Sequence, residues 1–303
     1  MPKKVTSSRK VVISYSDKYK IIDTLKNTYN IKSLCEIANV SRSGYYAWLS
    51  RTKVDKDSEI KEKILQVYNQ SKNVFGYRRI KVALKRQFNI IINHKKVKRL
   101  MKVLSIQSVI RRKKFKYNTI KILDLGKVEE NLLNREFHAS KLNEKWVTDI
   151  TYLYYGKNRE KAYLSAVMDL YNNEIISYKL SSSLKIDFVK DTFNEAFSKQ
   201  KGIDLSNLIV HSDQGGHYKS LQYKKIIKKN KANLSMSRKG NCYDNACIEN
   251  FFGHLKSELI YQNFFENKNE LFNAVNSYIY WYNNSRFQFV LKNRTPVEAR
   301  HAA

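Results

Sequence analysis

From residue 143 onward apolar residues that alternate are interleaved with stretches of helical spacing, and that change from purely helical periodicity dictates the architecture of the C-terminal half. The run Trp146-Val147-Thr148-Asp149-Ile150-Thr151-Tyr152-Leu153 alternates as a half-buried strand does. Comparable runs predict strands at 145–154, 161–169, 174–180, 208–212 and 232–237. Gly156-Lys157-Asn158 and Tyr171-Asn172-Asn173 suit antiparallel hairpin connections. Helical patterns fall at 186–199, 220–229, 245–260 and 270–282, the last with Leu271, Val275, Tyr278 and Ile279 on one stripe. Three antiparallel strands followed by alternating helix and strand make an α/β domain, a mixed sheet covered by helices.

The preceding half reads as all-α. In residues 1–56, Ile21, Ile22 and Leu25 form a helical stripe, followed by a short helix at 31–38, a turn at Asn39-Val40, and a helix at 41–49 with Ser41 as N-cap. This is a helix-turn-helix pattern; the alternative is a plain helical hairpin with Tyr45 and Trp48 as core. Residues 57–105 form a second helical unit, in which Val97, Leu100, Met101 and Leu104 fall at i, i+3, i+4, i+7. Lys95, Lys96, Lys98, Arg99 and Lys102 take the remaining surface, and Arg78, Arg79, Lys81, Lys85 and Arg86 decorate a partner helix marked by Ile80, Leu84 and Phe88. Such faces are often merely solvated, but these lack acidic neighbours in sequence, which favours contacts to phosphates and grooves. Residues 106–142 read as a basic linker whose run Arg111-Arg112-Lys113-Lys114-Phe115-Lys116-Tyr117 is expected to track DNA.

Charge supports that partner. The chain carries a formal net charge of +30, unevenly placed: residues 1–140 hold 33 basic and 11 acidic side chains, and residues 61–120 hold 18 basic against one acidic. A field of this sign attracts polyanions with steep salt dependence. A ribosomal or membrane-surface protein is the rival, but the basic residues are interleaved with apolar helical periodicity and form no low-complexity tail. Three cysteines make no disulfide framework, and no stretch approaches the ~18 apolar residues of a membrane span.

Three carboxylates in the α/β half point to chemistry. Asp149 lies within the first predicted strand, Asp213 ends the run Leu208-Ile209-Val210-His211-Ser212 and precedes Gln214-Gly215-Gly216, and Glu249 lies on the helix through Asn245-Ala246-Cys247-Ile248. Oxygen ligands of this kind suit Mg²⁺. Two such ions about 3.5–4 Å apart stabilise the attacking and leaving oxygens of a phosphoryl displacement.

At these residues the sequence resembles the DDE transposases of the retroviral-integrase superfamily, and more closely the second-frame product (OrfB) of two-frame bacterial insertion sequences. The matching blocks are 146–152, 211–215 and 235–256, with 35 residues between Asp213 and Glu249; 281–286 and 294–298 resemble the family's C-terminal block. The likeness covers roughly residues 30–300, departing at Gly216 and Ala299, neither a proposed ligand. It implies an RNase H-like core over 143–303, with Asp149, Asp213 and Glu249 as catalytic residues and metal ligands for two Mg²⁺ ions, Mn²⁺ substituting. It also implies DNA cleavage at the element's ends and 3′-OH strand transfer, a homo-oligomer on DNA, and an upstream-frame partner product. A bacterial cytoplasmic, nucleoid-associated protein with no membrane contact is expected.

The resemblance places Lys256 near the scissile phosphate; two helical turns beyond Glu249, it projects from the same face, though a solvated lysine is the alternative. Arg42, at a helix N-terminus, is the candidate for base contact. Asp169 is expected to cap a turn and Asp244 to favour a helix N-terminus. His211, His217, His254, Cys242 and Cys247 fit no familiar zinc spacing, and Ser212, His211 and Asp213 cannot form a triad because neighbours on a strand face opposite ways. The rivals are a DNA-binding repressor or domesticated protein without strand transfer, and an RNase H-like nuclease.

Overall fold

The computed structural model describes residues 13–53, 55–109, 128–238 and 241–303, so the basic run Arg111, Arg112, Lys113 and Lys114 lies outside the described residues. The chain divides into two compact units, residues 1–66 and 67–303.

In the first unit, α1 (Tyr15–Leu25), α2 (Ile31–Ile37) and α3 (Arg42–Lys53) surround a small core of Ile22, Cys35 and Tyr45, with Trp48 partly buried against it. Ser14 and Asn30 cap the first two helices through side-chain acceptors. Asn39 takes a left-handed φ of 52° in the turn, and Ser41 Oγ accepts from Gly44 N–H at 3.0 Å at the start of α3. The two helices joined by this turn therefore enclose the aromatic core. α4 (Ser58–Gln70) contains the boundary between the units.

The second unit begins with α5 (Tyr77–Phe88) and α6 (His94–Val103), and Val97, Leu100 and Met101 are buried as the period requires. The sheet follows: β1 (Lys145–Tyr155), β2 (Glu160–Asp169) and β3 (Glu174–Ser181), then α7 (Ile186–Ser198), β4 (Ile209–Ser212), α8 (Gly216–Lys219), α9 (Leu221–Lys229) and β5 (Asn233–Met236). The chain ends with α10 (Ala246–Glu258), α11 (Lys268–Asn284) and α12 (Pro296–Arg300). Strand order is β3-β2-β1-β4-β5, the first three antiparallel and β4 and β5 parallel to β1. This is the mixed sheet of an RNase H-like integrase core, which in the chain follows an all-helical N-terminal region.

Alternation along β1 sorts its residues between two cores. Val147 and Leu153 face α10 and α11, whereas Trp146 faces α7 and α9. Both outer strands are covered by groups that bond their backbone. Asn283 on α11 exchanges hydrogen bonds with the Ile175 N–H and C=O of β3. Beside β5, the Glu130 carbonyl accepts from Met236 N–H. Residues 128–139, expected as the end of a linker, thus lie against the sheet, with Leu133 and Ala139 in its core.

Candidate active site

The register of the central strands brings the first two carboxylates together. β1 and β4 pair from Lys145↔Ile209 to Val147↔His211, and continuing that register sets Asp213, just past the end of β4, level with Asp149. Asp149 shares the α10 side of the sheet with Val147, and α10 packs on β1. Ile248, Phe251, Phe252 and Leu255 bury one face of α10. Glu249 stands exposed in its first turn and Lys256, partly buried, in its last.

Asp149 senses the other three groups. Burial, then the neighbouring Asp213 carboxylate, push the Asp149 carboxyl up to about 8; Glu249 acts the same way, while the Ile150 N–H and Lys256 oppose. The Ile150 N–H donates to Asp149 Oδ1 at 2.7 Å. Burial also raises Asp213, against the Gly215 N–H and the charges of His217 and Lys219. Gly215 N–H donates to Asp213 Oδ1 at 2.8 Å, and a Cβ on Gly215 would lie 2.9 Å from that oxygen. The close approach that glycine permits here is thus by the Asp213 carboxylate itself. Among the described residues, no three His, Cys, Asp or Glu side chains converge closely enough to hold one metal ion; the structure brings Asp149 and Asp213 together and leaves Glu249 on the neighbouring helix.

Two adjacent residues fasten the start of that helix. Asp244 is fully buried, and its oxygens accept from Arg238 Nε and Nη2 at 2.9 Å each, Arg238 N at 3.0 Å, Arg135 Nε at 2.8 Å and Asn131 Nδ2 at 3.1 Å. Those donors, Arg238 foremost, hold its carboxyl well below the usual carboxylate range. Its structural role comes from an ion-pair hub, where the sequence suggested a helix dipole. Asn245 is the N-cap of α10 yet makes no capping bond. Its Nδ2 instead donates to Thr148 O at 3.0 Å, the carbonyl preceding Asp149, and its buried Oδ1 has no hydrogen-bond partner. Sequence reasoning missed both contacts, because no local spacing announces a partner on another element.

Other side chains near the site are structural. Asp169 accepts from Tyr171 N and Asn143 N at 2.8 Å each, and burial raises its carboxyl to about 6. His211 bridges Ser235 Oγ (2.8 Å) and Ser237 Oγ (3.0 Å) on and just after β5, and burial lowers it to about 4. At the far end of α10, Glu258 accepts from Arg286 Nη2 (2.6 Å), Arg286 Nε (3.1 Å) and Tyr278 OH (2.7 Å), which ties the helix to α11.

Of the basic candidates, Arg42 is the first residue of α3 and exposed. Arg78, Lys95, Lys98, Arg99 and Lys102 are exposed and Lys96 is partly buried. Arg78 and Lys98 lie over the Tyr77 ring, at 5.2 and 5.9 Å. Arg79 differs: its Nε–H donates to Phe287 O at 2.9 Å, and burial, then Arg286, lower it to about 10. Arg86 likewise pairs with Glu298 at 2.6 Å. These two arginines of α5 grip the C-terminal segment, which supplies the acidic and carbonyl partners that their sequence neighbours lack.

Family models match the chain in three places, and the HTH-like one falls on the second helical unit instead of on α1–α3. An HTH-like domain model matches residues 55–114, and two integrase core domain models match residues 139–242 and 249–302. The chain is 40% identical over 284 residues to InsK, the transposase ascribed to insertion sequence element IS150 of Escherichia coli (strain K12), spanning 93% of this chain and 97% of that protein. It is 32% identical over 271 residues to InsF, the transposase for insertion sequence IS3A of the same organism, spanning 86% and 90%. Among solved structures, the HTLV-2 integrase catalytic core domain in complex with magnesium is 17% identical with a TM-score of 0.39, covering 54% of this chain and 99% of that one. A simian T-cell lymphotropic virus intasome chain is 14% identical with a TM-score of 0.45, covering 79% and 75%; likeness so loose carries no functional weight. The near full-length identity to insertion-sequence transposases decides the matter: this chain belongs to the DDE-type transposases of the retroviral-integrase superfamily.

Proposed function

We propose that the protein is a metal-dependent DNA transposase that cuts a phosphodiester at each end of its element and joins the exposed 3′-OH to target DNA. The observation that carries this reading is the β1–β4 register that sets Asp213 level with Asp149 at one end of the central strands, where Asp149 also feels the charges of Glu249 and Lys256. By their chemistry the donors suit Mg²⁺, with Mn²⁺ as a substitute: they are hard carboxylate oxygens, and the Asp213 and Glu249 charges that raise Asp149 would be offset by divalent positive charge. When bound, such a pair of ions stabilises the attacking and leaving oxygens of phosphoryl transfer.

The chain's own residues supply position. Asp149 is fixed by β1, which has a hydrogen-bonded neighbour on both sides up to Val147. Asp213 is held by the Gly215 N–H, and Glu249 would close the site from α10. Lys256 offers a cation to a phosphate between them. The exposed lysines of α6, with Arg78 and the run 111–114, would position duplex DNA, and Arg42 would read bases. DNA ends and target, further copies of this chain and an upstream-frame product are the proposed partners. No helix among the described residues is long and apolar enough to cross a membrane.

The test supplies the full chain with Mg²⁺, a duplex ending in the element's terminal sequence and a target duplex. Joined products are expected from ends with a 3′-OH and none from ends with a 3′-deoxy terminus. Cleavage without joining would make the protein a nuclease, and binding alone a repressor.

A further inference from the structure

We propose that the projecting end of the β1–β2 hairpin is a stacking platform for unpaired DNA bases beside the candidate active site. This rests on the reading of the chain as acting on DNA. β4 pairs with β1 only at residues 145–147, so β1 runs on past Asp149 with β2 alone beside it. Along this stretch Thr151 and Leu153 are buried, while Tyr152 and Tyr154 are 45% and 39% exposed. Tyr152 stands directly opposite Tyr163 on β2, the rings edge-on with centroids 5.3 Å apart. Tyr154 stands opposite Lys161, and the Arg159 guanidinium lies 5.1 Å from its ring centroid.

The exposed charges of the hairpin on the rings' side have one sign. Lys157, Arg159 and Lys161 are exposed and make no ion pair among the described residues. Glu160, the one acid between residues 150 and 165, bonds the Tyr155 hydroxyl on the opposite face of the hairpin. Exposed rings flanked by unpaired cations fit a chain of planar bases joined by phosphates. A duplex keeps its base faces stacked on one another, so the occupant is a strand whose bases are unpaired. Tyr152 and Tyr154 lie three and five residues beyond Asp149, ~10 and ~17 Å along the strand. They face away from Asp149, so a strand reaching both passes around the open side of β1. Frayed or displaced nucleotides next to a cut phosphate would be held there.

The full chain is tested with a short labelled oligothymidylate and, separately, with duplex DNA. The double substitution Tyr152→Ala with Tyr154→Ala is expected to weaken single-strand binding about tenfold or more, since each base stack is worth ~1–3 kcal/mol. Duplex affinity should stay unchanged, and Tyr152→Phe with Tyr154→Phe should retain single-strand binding. In parallel, oligothymidylate carrying 5-iodouracil is irradiated with the unaltered protein, and the crosslink is expected within residues 146–157; this arm decides even if the alanine variant does not fold. Unchanged single-strand affinity in a folded alanine variant, a crosslink confined to other segments, or loss of self-association in its place overturns the proposal. Asp149→Asn should leave single-strand binding intact, so failure of the catalytic reading is seen separately.

Discussion

Arg286→Ala should destabilise the core by about 3–5 kcal/mol at neutral pH, the range for stripping one partner from a buried ion pair. The Arg286 and Glu258 side chains are 4% and 6% exposed, so neither charge can fall back on water. Burial alone would raise the Glu258 carboxyl. The bond from His254, the Arg286 charge and the Tyr278 hydroxyl outweigh it, and hold the group at about 2 against an ordinary value of 4.5. A shift of that size corresponds to on the order of 3 kcal/mol. Its sign follows from linkage: a lowered carboxylate contributes stability above its unfolded value, and that contribution is lost as pH falls from about 4.5 towards about 2. Without Arg286 the buried carboxyl takes up a proton more readily, so the deficit of the variant should shrink on acidification. Urea unfolding followed by circular dichroism at neutral pH and near pH 4 measures both, with Glu258→Gln plus Arg286→Met as the neutral control expected to lose much less. A deficit below about 1 kcal/mol at neutral pH, the scale of an exposed pair, or one that widens on acidification, would refute the reasoning.

Gly215→Ala should leave unfolding nearly unchanged and lower strand cleavage by about a hundredfold, because its Cβ displaces the Asp213 oxygen and small misplacements cost that much; normal cleavage would free Asp213 from the site. Asn245→Ala should cost about 1–2 kcal/mol in unfolding and raise the Mg²⁺ concentration needed for cleavage, since the tie between α10 and the Thr148 carbonyl is lost; an unaltered metal requirement would reduce Asn245 to a packing role. Arg42→Ala should remove about 1–3 kcal/mol of discrimination at one base pair, whereas Lys98→Ala should weaken specific and scrambled duplex alike; equal losses from Arg42→Ala would make α3 a backbone clamp.

Much of the core was legible because its signals are local. The five strands begin and end within about one residue of the alternation, as expected of a period-2 pattern, and the same alternation puts Asp149 on the α10 side. The stripe of α6 was equally readable. The anchors of the site were not. Asp244 meets Arg135 across 109 residues, Arg79 meets Phe287 across 208, and Arg86 meets Glu298 across 212. Such pairings depend on how elements pack, and no spacing within one element encodes them. α12 is a different case: Thr295, Pro296 and Glu298 spell a capping box with proline in the first turn, a local signal sufficient to place that helix start.

The most direct test of the central claim is to measure cleavage of element-end DNA with Mg²⁺ beside gel-shift binding for Asp149→Asn, Asp213→Asn and Glu249→Gln. If the three carboxylates form one metal-dependent site, each substitution abolishes cleavage while DNA binding, which depends on lysines and arginines elsewhere, stays near that of the unaltered chain. Substantial cleavage by any one of the three would remove that residue from the site and contradict the account.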